Sequence, residues 1–428
     1  SRGPNSVYSE SLTTLVIYDM YKKKTKKIQV EAQPQKLGIC STKLGVAFNN
    51  QSWFYNVADE SLITNVEFSS SIDALQVTDT AYAVLMGSKV MLSYFDKSKK
   101  PFVFPDYDTN AKVTAFSLTD YLLLLATDDG TIRKFDTRNQ NFLEGYKHTC
   151  PIISITPNIS ETRFVFIDAQ NDVFLFFPIK MKAVEVTGES RKINASYTIF
   201  DNSDRNIFAA IGSKVAALYH FTNQDVHGLQ LRQLCTMNVN LMKAALGVSN
   251  GTLIYLDGQS NEQQMTFPSH TDIDGNNEAA VRQLLELHRH RKALQIALQL
   301  QDTKLIHDVG EHALASLSVE IAAEAFAQSG DASMYNVLQP MVNEDEYSFL
   351  RGYVSMMDHD FGAAQKNFLN STRPQMALDM RAALLQFDFA LKLAENLDPS
   401  RIPQLSHDSA RQNELTGNYS AALKQYKE

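Results

Sequence analysis

The sequence predicts a β-propeller of seven WD-like blades, the first incomplete, followed by an α-solenoid of tetratricopeptide-like helix pairs. Two periodicities carry this. In the first part, short apolar runs flank tight polar turns centred on Asn50, Ser88, Asp129, Asn171, Ser213 and Asn250, with steps of 38, 41, 42, 42 and 37 residues. In the second, alanines fall at 293, 322, 364, 390 and 422, with steps of 29, 42, 26 and 32.

The turns are rich in Asn, Asp, Gly and Ser because a two-residue hairpin needs positive φ or a side chain that bonds its own backbone. A period of roughly 40–45 residues with four short strands is a propeller signature. A further turn inferred near Ser11 falls on the same beat, giving seven hairpins. Too few residues precede it for a complete blade. An inner strand must come from elsewhere, or the ring keeps a gap. Leu62–Phe68, Phe102–Phe104, Val184–Val186 and Met265–Phe267 fit outer strands. Ala74–Thr78, Val113–Leu118, Ile152–Thr156 and Ala195–Ile199 fit inner ones. Trp53, the one tryptophan, sits in a third-strand position, and the expected counterparts are Met91, Phe174 and Tyr255. All six turns are expected on one rim.

The expected domains are a propeller over 1–267, a linker over 268–277 and a solenoid over 278–428, cut short at its C-terminal end. Pro268–Asn277 is polar and broken by Pro, Gly and Asn. From Glu278 the apolar period becomes helical, with Val281, Leu284, Leu285 and His288 on one face. Expected pairs are 278–288 with 290–300, 303–315 with 318–328, 331–338 with 345–357, and 361–370 with 375–383. Helices at 385–396, 407–416 and from Tyr419 follow. Ala293, Ala322, Ala364, Ala390 and Ala422 are the candidate packing residues, where paired helices touch most closely.

Composition narrows the function. The net charge is −8. Residues 278–428 hold 20 acids and 14 bases, leaving 28 and 26 for the rest. Neither part has the basic balance of a nucleic-acid binder. The basic run Lys22, Lys23, Lys24, Lys26 and Lys27 lies between two strand-like segments and reads as a solvated loop. No run of about 18 apolar residues exists, so no transmembrane helix is expected. Cys40, Cys150 and Cys235 are far apart and lack ligand spacing, which suits reduced thiols in a cytosolic protein.

No nucleotide-binding loop or CxxC occurs. His288–Arg291 reads as a solvated helix face, and His307 with His312 misses the spacing of a zinc helix. Asp128-Asp129-Gly130 reads as turn chemistry. The expectation is therefore no catalytic residue, no cofactor and no metal. A propeller hydrolase would need convergent carboxylates or a metal at the central channel, and the sequence names no such set. A vesicle-coat or nuclear-pore scaffold shares the predicted architecture.

Several segments carry a resemblance: Asn49–Tyr55 (NNQSWFY), Arg163–Asp168 (RFVFID), Ala377–Arg381 (ALDMR), and the run from Asp388–Ala394 (DFALKLA) through Ile402-Pro403 to Gly417–Tyr419 (GNY). In these the chain resembles the family of WD-repeat domain protein nineteen, the large propeller-and-solenoid subunits of intraflagellar transport complex A. The resemblance covers residues 7–428 and implies a second propeller with the first helical repeats. It implies retrograde ciliary transport, cilium assembly and ciliary entry of membrane receptors, through protein contacts alone. The implied partners are the other complex A subunits, complex B, tubby-like adaptors and dynein-driven trains. The implied places are the cytoplasm, the cilium and its base.

Overall fold

The computed structural model describes residues 5–105, 111–187, 194–239 and 242–427. They form two compact units. One runs to Phe221 and resumes over Leu231–Thr271; the other joins Thr222–Gln230 to the chain from Asp272 onward.

The first unit is a seven-bladed propeller. Five sheets have four strands and two have three among the described residues. The first sheet is β1 (Asn5–Ser9), β2 (Thr14–Asp19) and β3 (Lys24–Gln29). The second is β4 (Lys36–Ile39), β5 (Lys43–Phe48), β6 (Gln51–Asn56) and β7 (Leu62–Glu67). The third is β8 (Ala74–Val77), β9 (Ala81–Met86), β10 (Lys89–Tyr94) and β11 (Phe102–Phe104). The fourth is β12 (Val113–Leu118), β13 (Leu122–Thr127), β14 (Thr131–Asp136) and β15 (Asn141–Lys147). The fifth is β16 (Ile152–Pro157), β17 (Phe164–Asp168), β18 (Val173–Phe177) and β19 (Lys182–Glu185). The sixth is β20 (Ala195–Phe200), β21 (Ile207–Gly212), β22 (Val215–Asp225) and β23 (Gly228–Asn238). The last is β24 (Met242–Ser249), β25 (Thr252–Asp257) and β26 (Glu262–Thr266).

The hairpins form for the reason read in the sequence. Phe48 pairs with Gln51 across Asn49, whose φ is +52°, and Met86 pairs with Lys89 across Gly87 at +62°. Asp129 closes its turn by accepting from the Thr127 and Thr131 hydroxyls, the Thr131 N–H and Lys147 Nζ. The turns at Asn50, Ser88, Asp129, Asn171 and Ser213 border the connections between sheets, as Phe68 N–H to Asn50 O and Val239 N–H to Lys214 O show. The turn at Asn250 does not share that rim. β24 runs parallel to the inner strand β20 at Asp201 and Val248, and the Asp201 carboxylate accepts from Asn250 and Gly251 N–H. The physical reason is strand length. β22 and β23 are 11 residues each, and the extra residues carry the beat one strand out of phase.

Among the described residues no fourth strand completes the first sheet. β1 instead lies against both β4 and β24. Asn5 Nδ2 donates to Cys40 and Ser41 carbonyls, and Ser6 Oγ donates to Leu246 O at 2.6 Å. Tyr18, Met20, Leu246, Ile254 and Leu256 form one buried cluster between first and last sheets.

The tip of the β22–β23 hairpin belongs to the helical unit. Val226 is buried with Ala313, Leu314 and Phe326, its N–H donates to Ala315 O, and Arg351 Nε donates to Asp225 O at 2.9 Å.

That unit contains α1 (Glu278–Glu286), α2 (His290–Leu300), α3 (Thr303–Ala315), α4 (Val319–Ser329), α5 (Ala332–Leu338), α6 (Tyr347–Met357), α7 (Phe361–Leu369), α8 (Gln375–Ala383), α9 (Phe387–Leu397), α10 (Ile402–Leu415) and α11 (Tyr419–Lys427). Five helical hairpins share one turn. His288, Leu317, His359, Leu385 and Gly417 all have positive φ, between 54° and 84°. In each, the next residue's N–H reaches back five positions: Arg289 to Leu284, Ser318 to Ala313, Asp360 to Ser355, Gln386 to Arg381 and Asn418 to Asn413. This is a Schellman end, which satisfies carbonyls the helix leaves open. It pairs α6 with α7 and α8 with α9, correcting the expected pairing of 331–338 with 345–357 and of 361–370 with 375–383. The short α5 packs on α4 instead, its Leu338 buried with Phe326 and Leu350.

The hairpins also trade volume. Gly310 faces the ring of Phe326, and Gly352 faces Phe368, where an added Cβ would lie 2.5 Å from the ring. The equivalent positions of the α8–α9 hairpin are Leu378 and Ala394, buried in one cluster. Phe368→Ala should destabilise the helical unit by about 3–5 kcal/mol. Gly352→Leu should destabilise it by steric overlap. Combining them should recover part of the loss, because the pair then matches Leu378 and Ala394. Denaturant unfolding of the four variants checks this; strictly additive losses would contradict it.

Candidate functional site

Where the inner strands converge, the propeller encloses a cavity of about 520 Å³. Its wall includes Leu75–Asp79 of the third blade, Ser117 and Leu118 of the fourth, Ser154–Ile159 of the fifth and Tyr197–Phe200 of the sixth. Ser41, Asp79 and Asp120 stand exposed at one end. They occupy the loops that follow the inner strands. Thr78 and Thr119 shape two of these loops alike: each hydroxyl donates to the carbonyl three residues on and accepts that residue's N–H. The Thr-Asp dipeptides therefore recur 41 residues apart, a signal on the propeller beat that could have found both acids.

Three carboxylates line this cavity: Asp79, Asp120 and Glu161. The sequence reading named no convergent set, because their nearness depends on the ring. Asp79 accepts from Thr42 Oγ1 at 2.6 Å, from Cys40 Sγ and from Ser41 Oγ. Burial raises its pKa, but those three hydrogen bonds outweigh it and hold the carboxyl below its usual range. Glu161 Oε1 accepts the Asp120 N–H at 3.1 Å. Burial, helped by Asp79, pushes the Cys40 thiol up to about 11, so it stays a thiol and not a nucleophilic thiolate. Cys40, Cys150 and Cys235 are not joined in disulfides.

The five candidate alanines lie in equivalent places. Each is five residues past its positive-φ turn residue, and each N–H bonds the carbonyl four residues earlier, as in Ala390 to Gln386. Four are fully buried and Ala422 is 3% exposed. Ala390 packs with Leu378, Phe387, Ala394 and Leu405. We propose that these are contact points set by the turn geometry. Ala390→Trp should cost about 1–3 kcal/mol by overpacking. Limited proteolysis should then cut the last repeats while a fragment ending near Thr271 survives.

The histidine-rich stretch is not a solvated face. The positive φ at His288 turns the chain so that His290 opens α2 from a buried position. His288 Nδ1 lies 2.8 Å from Ser316 Oγ. Burial first, then His288 and His312, lowers the His290 pKa from 6.5 to about 4. In α3 the ligand atoms of His307, Asp308 and Glu311 lie within 4.8 Å of one another, but the groups are half-buried or exposed. Sequence spacing had compared His307 with His312 instead.

The titration of His290 has a sign. Between its folded value of about 4 and 6.5, the unfolded chain binds more protons. Stability is therefore complete above 6.5 and falls as pH drops toward 4. Going from pH 7.5 to 5 should lower stability by about 2 kcal/mol through this group. His290→Leu should flatten that part of the profile in pH-dependent urea unfolding.

A family model described as WDR19 second beta-propeller matches residues 6–270. The chain belongs to this family. WD repeat-containing protein 19 of Mus musculus is 26% identical over 421 residues, covering 93% of this chain and 31% of that protein. The Homo sapiens protein of the same name is 24% identical over 417 residues, with the same shares. WD repeat-containing protein dyf-2 of Caenorhabditis elegans is 25% identical over 464 residues, covering 99% of this chain and 33% of that protein. The chain thus spans about a third of the length of the curated relatives it matches. Among the described residues no helix is long and apolar enough to cross a membrane.

Proposed function

We propose that this chain is part of a non-catalytic scaffold subunit of intraflagellar transport complex A. It acts through protein contacts in retrograde ciliary transport, cilium assembly and the ciliary entry of membrane receptors. The observation that carries the reading is the family match over 6–270, joined to a helical region also covered by the relatives. The architecture supports it: stacked blades and stacked helical hairpins offer many faces for docking. The cavity chemistry supports it too. Its thiol is held protonated, and Asp79 spends its oxygens on neighbouring donors.

Partners on this reading are the other complex A subunits, with complex B, tubby-like adaptors and dynein-driven trains met during transport. The proposed places are the cytoplasm, the cilium and the ciliary base. Affinity purification of the tagged full-length protein from ciliated cells should recover complex A subunits. Replacing it with the Ala390→Trp form should weaken that recovery and leave complex B accumulated toward ciliary tips. Recovery of vesicle-coat or nuclear-pore subunits instead, equally from non-ciliated cells, would overturn the reading.

A further inference from the structure

We propose that the helical unit binds a zinc ion on the surface of α3, held by His307 Nδ1 and the carboxylates of Asp308 and Glu311. This goes beyond the scaffold reading, which requires no metal, and departs from the expectation of none.

The ligand set comes first. One ligand atom from each of these three residues lies within 4.8 Å of the other two. His307 and Glu311 are one helical turn apart on α3, which puts them on one face. His307 Nδ1 lies 3.7 Å from Glu311 Oε1. Zinc bonds of about 2.0–2.2 Å set tetrahedral neighbours about 3.4 Å apart, so this pair is already close to the spacing an ion needs. Asp308 is half-buried beside them, and its carboxylate makes no hydrogen bond or ion pair among the described residues. Its oxygens are open to a metal, and rotation of the Glu311 side chain, 65% exposed, can close the remaining distance.

The second observation lies outside the ligand set. The other ring nitrogen of His307, Nε2, faces Asp331 Oδ2 at 3.7 Å. That carboxylate is fixed by a different duty: its Oδ1 accepts the Met334 N–H and caps α5. The imidazole is also seated against Phe326, with ring centroids 5.2 Å apart at 76°, and Phe326 is 1% exposed. A carboxylate beside one ring nitrogen keeps the proton there and leaves the lone pair of the other for a metal. Metal-binding histidines almost always have such an outer partner. A plain helix ion pair between His307 and Glu311 would need neither Asp331 nor the open Asp308. The ring is thus oriented, and its tautomer set, before an ion arrives.

The donor types select the ion. One imidazole nitrogen with two carboxylates suits zinc, whereas magnesium and calcium favour oxygen alone. Three protein ligands leave a fourth position for water. Because Asp331 opens α5, an ion on His307 also ties α3 to α5 through the ring.

Isothermal titration calorimetry of the purified, chelator-treated chain with zinc chloride tests this. One zinc per chain should bind, and magnesium chloride should give no binding. His307→Gln and Glu311→Gln should each weaken zinc binding about tenfold or more. Asp331→Asn should weaken it about 10–100-fold by removing the outer carboxylate. The metal-free melting temperature of that variant should not change, because Asn caps a helix as well as Asp does. His312→Gln, next to Glu311 but outside the set, should bind zinc as the parent does. No zinc binding, full affinity in any of the first three variants, or equal weakening in His312→Gln would each overturn the proposal. None of these outcomes touches recovery of complex A subunits, on which the scaffold reading stands or falls.

Discussion

Closure of the ring is the constraint on which the propeller depends. Each sheet buries both faces against its neighbours, so one missing neighbour would expose two apolar faces at once. Leu15, Ile17 and Ile28 of the first sheet pack on Leu44, Val46 and Tyr55 of the second, and the pattern continues around the ring. The break in the chain must therefore be sealed where first and last sheets meet. Among the described residues it is sealed by side chains: Tyr18 and Met20 pack against Leu246, Ile254 and Leu256, and Ser6 bonds Leu246 O. The Met20 side chain lies where a Cβ on Gly247 would stand, so the missing side chain there makes room for the seal. Asp201 adds a polar stitch between sixth and last sheets, accepting from Ser203, Asn250 and Gly251 N–H.

The helical unit follows a different rule with the same outcome. One backbone turn recurs five times, and each time a buried alanine lies five residues after it. Beyond that fixed alanine, the facing positions need only conserve volume. Glycine meets phenylalanine in two hairpins, and leucine meets alanine in a third. Cores tolerate such exchange when the total volume is kept. The repeat can then drift in sequence while its geometry holds.

These rules explain what the sequence disclosed. The beat of Asn50, Ser88, Asp129, Asn171 and Ser213 was legible because four of the turns are chemically marked, Asn49, Gly87, Gly130 and Asn171 taking positive φ and the Asp129 carboxylate closing its own turn, while at Ser213 the residue type alone carries the beat. Asn250 carried the same marks on another rim, because turn chemistry does not record strand count. The alanine steps were legible because they repeat the turn steps, each alanine lying five residues later. The turns themselves were hidden. Four of the five use His or Leu at positive φ where glycine is the usual signal, so helix pairing was misread after α4. His290 read as solvated because polar neighbours surround it in sequence, whereas its burial is set by helices distant in the chain. The cavity acids were invisible for the same reason: Asp79, Asp120 and Glu161 are about 40 residues apart and meet only in the closed ring.

On the inner strands Val77, Leu118 and Ile155 pack between blades and also border the cavity. Their neighbours Gln76, Ser117 and Thr156 line the cavity. Some of these polar groups are spent on holding strands together, as when Gln76 bonds the backbone at both Phe116 and Leu118, and Thr156 bonds Thr198 O. Ser117 Oγ makes no such bond, although the residue is 1% exposed. A buried hydroxyl that contributes nothing to the ring's own bonding weakens the fold slightly. The same unpaired buried hydroxyl stands at Ser52 on β6, outside the cavity lining, so this small loss is carried in more than one place in the blades and is not confined to the inner strands.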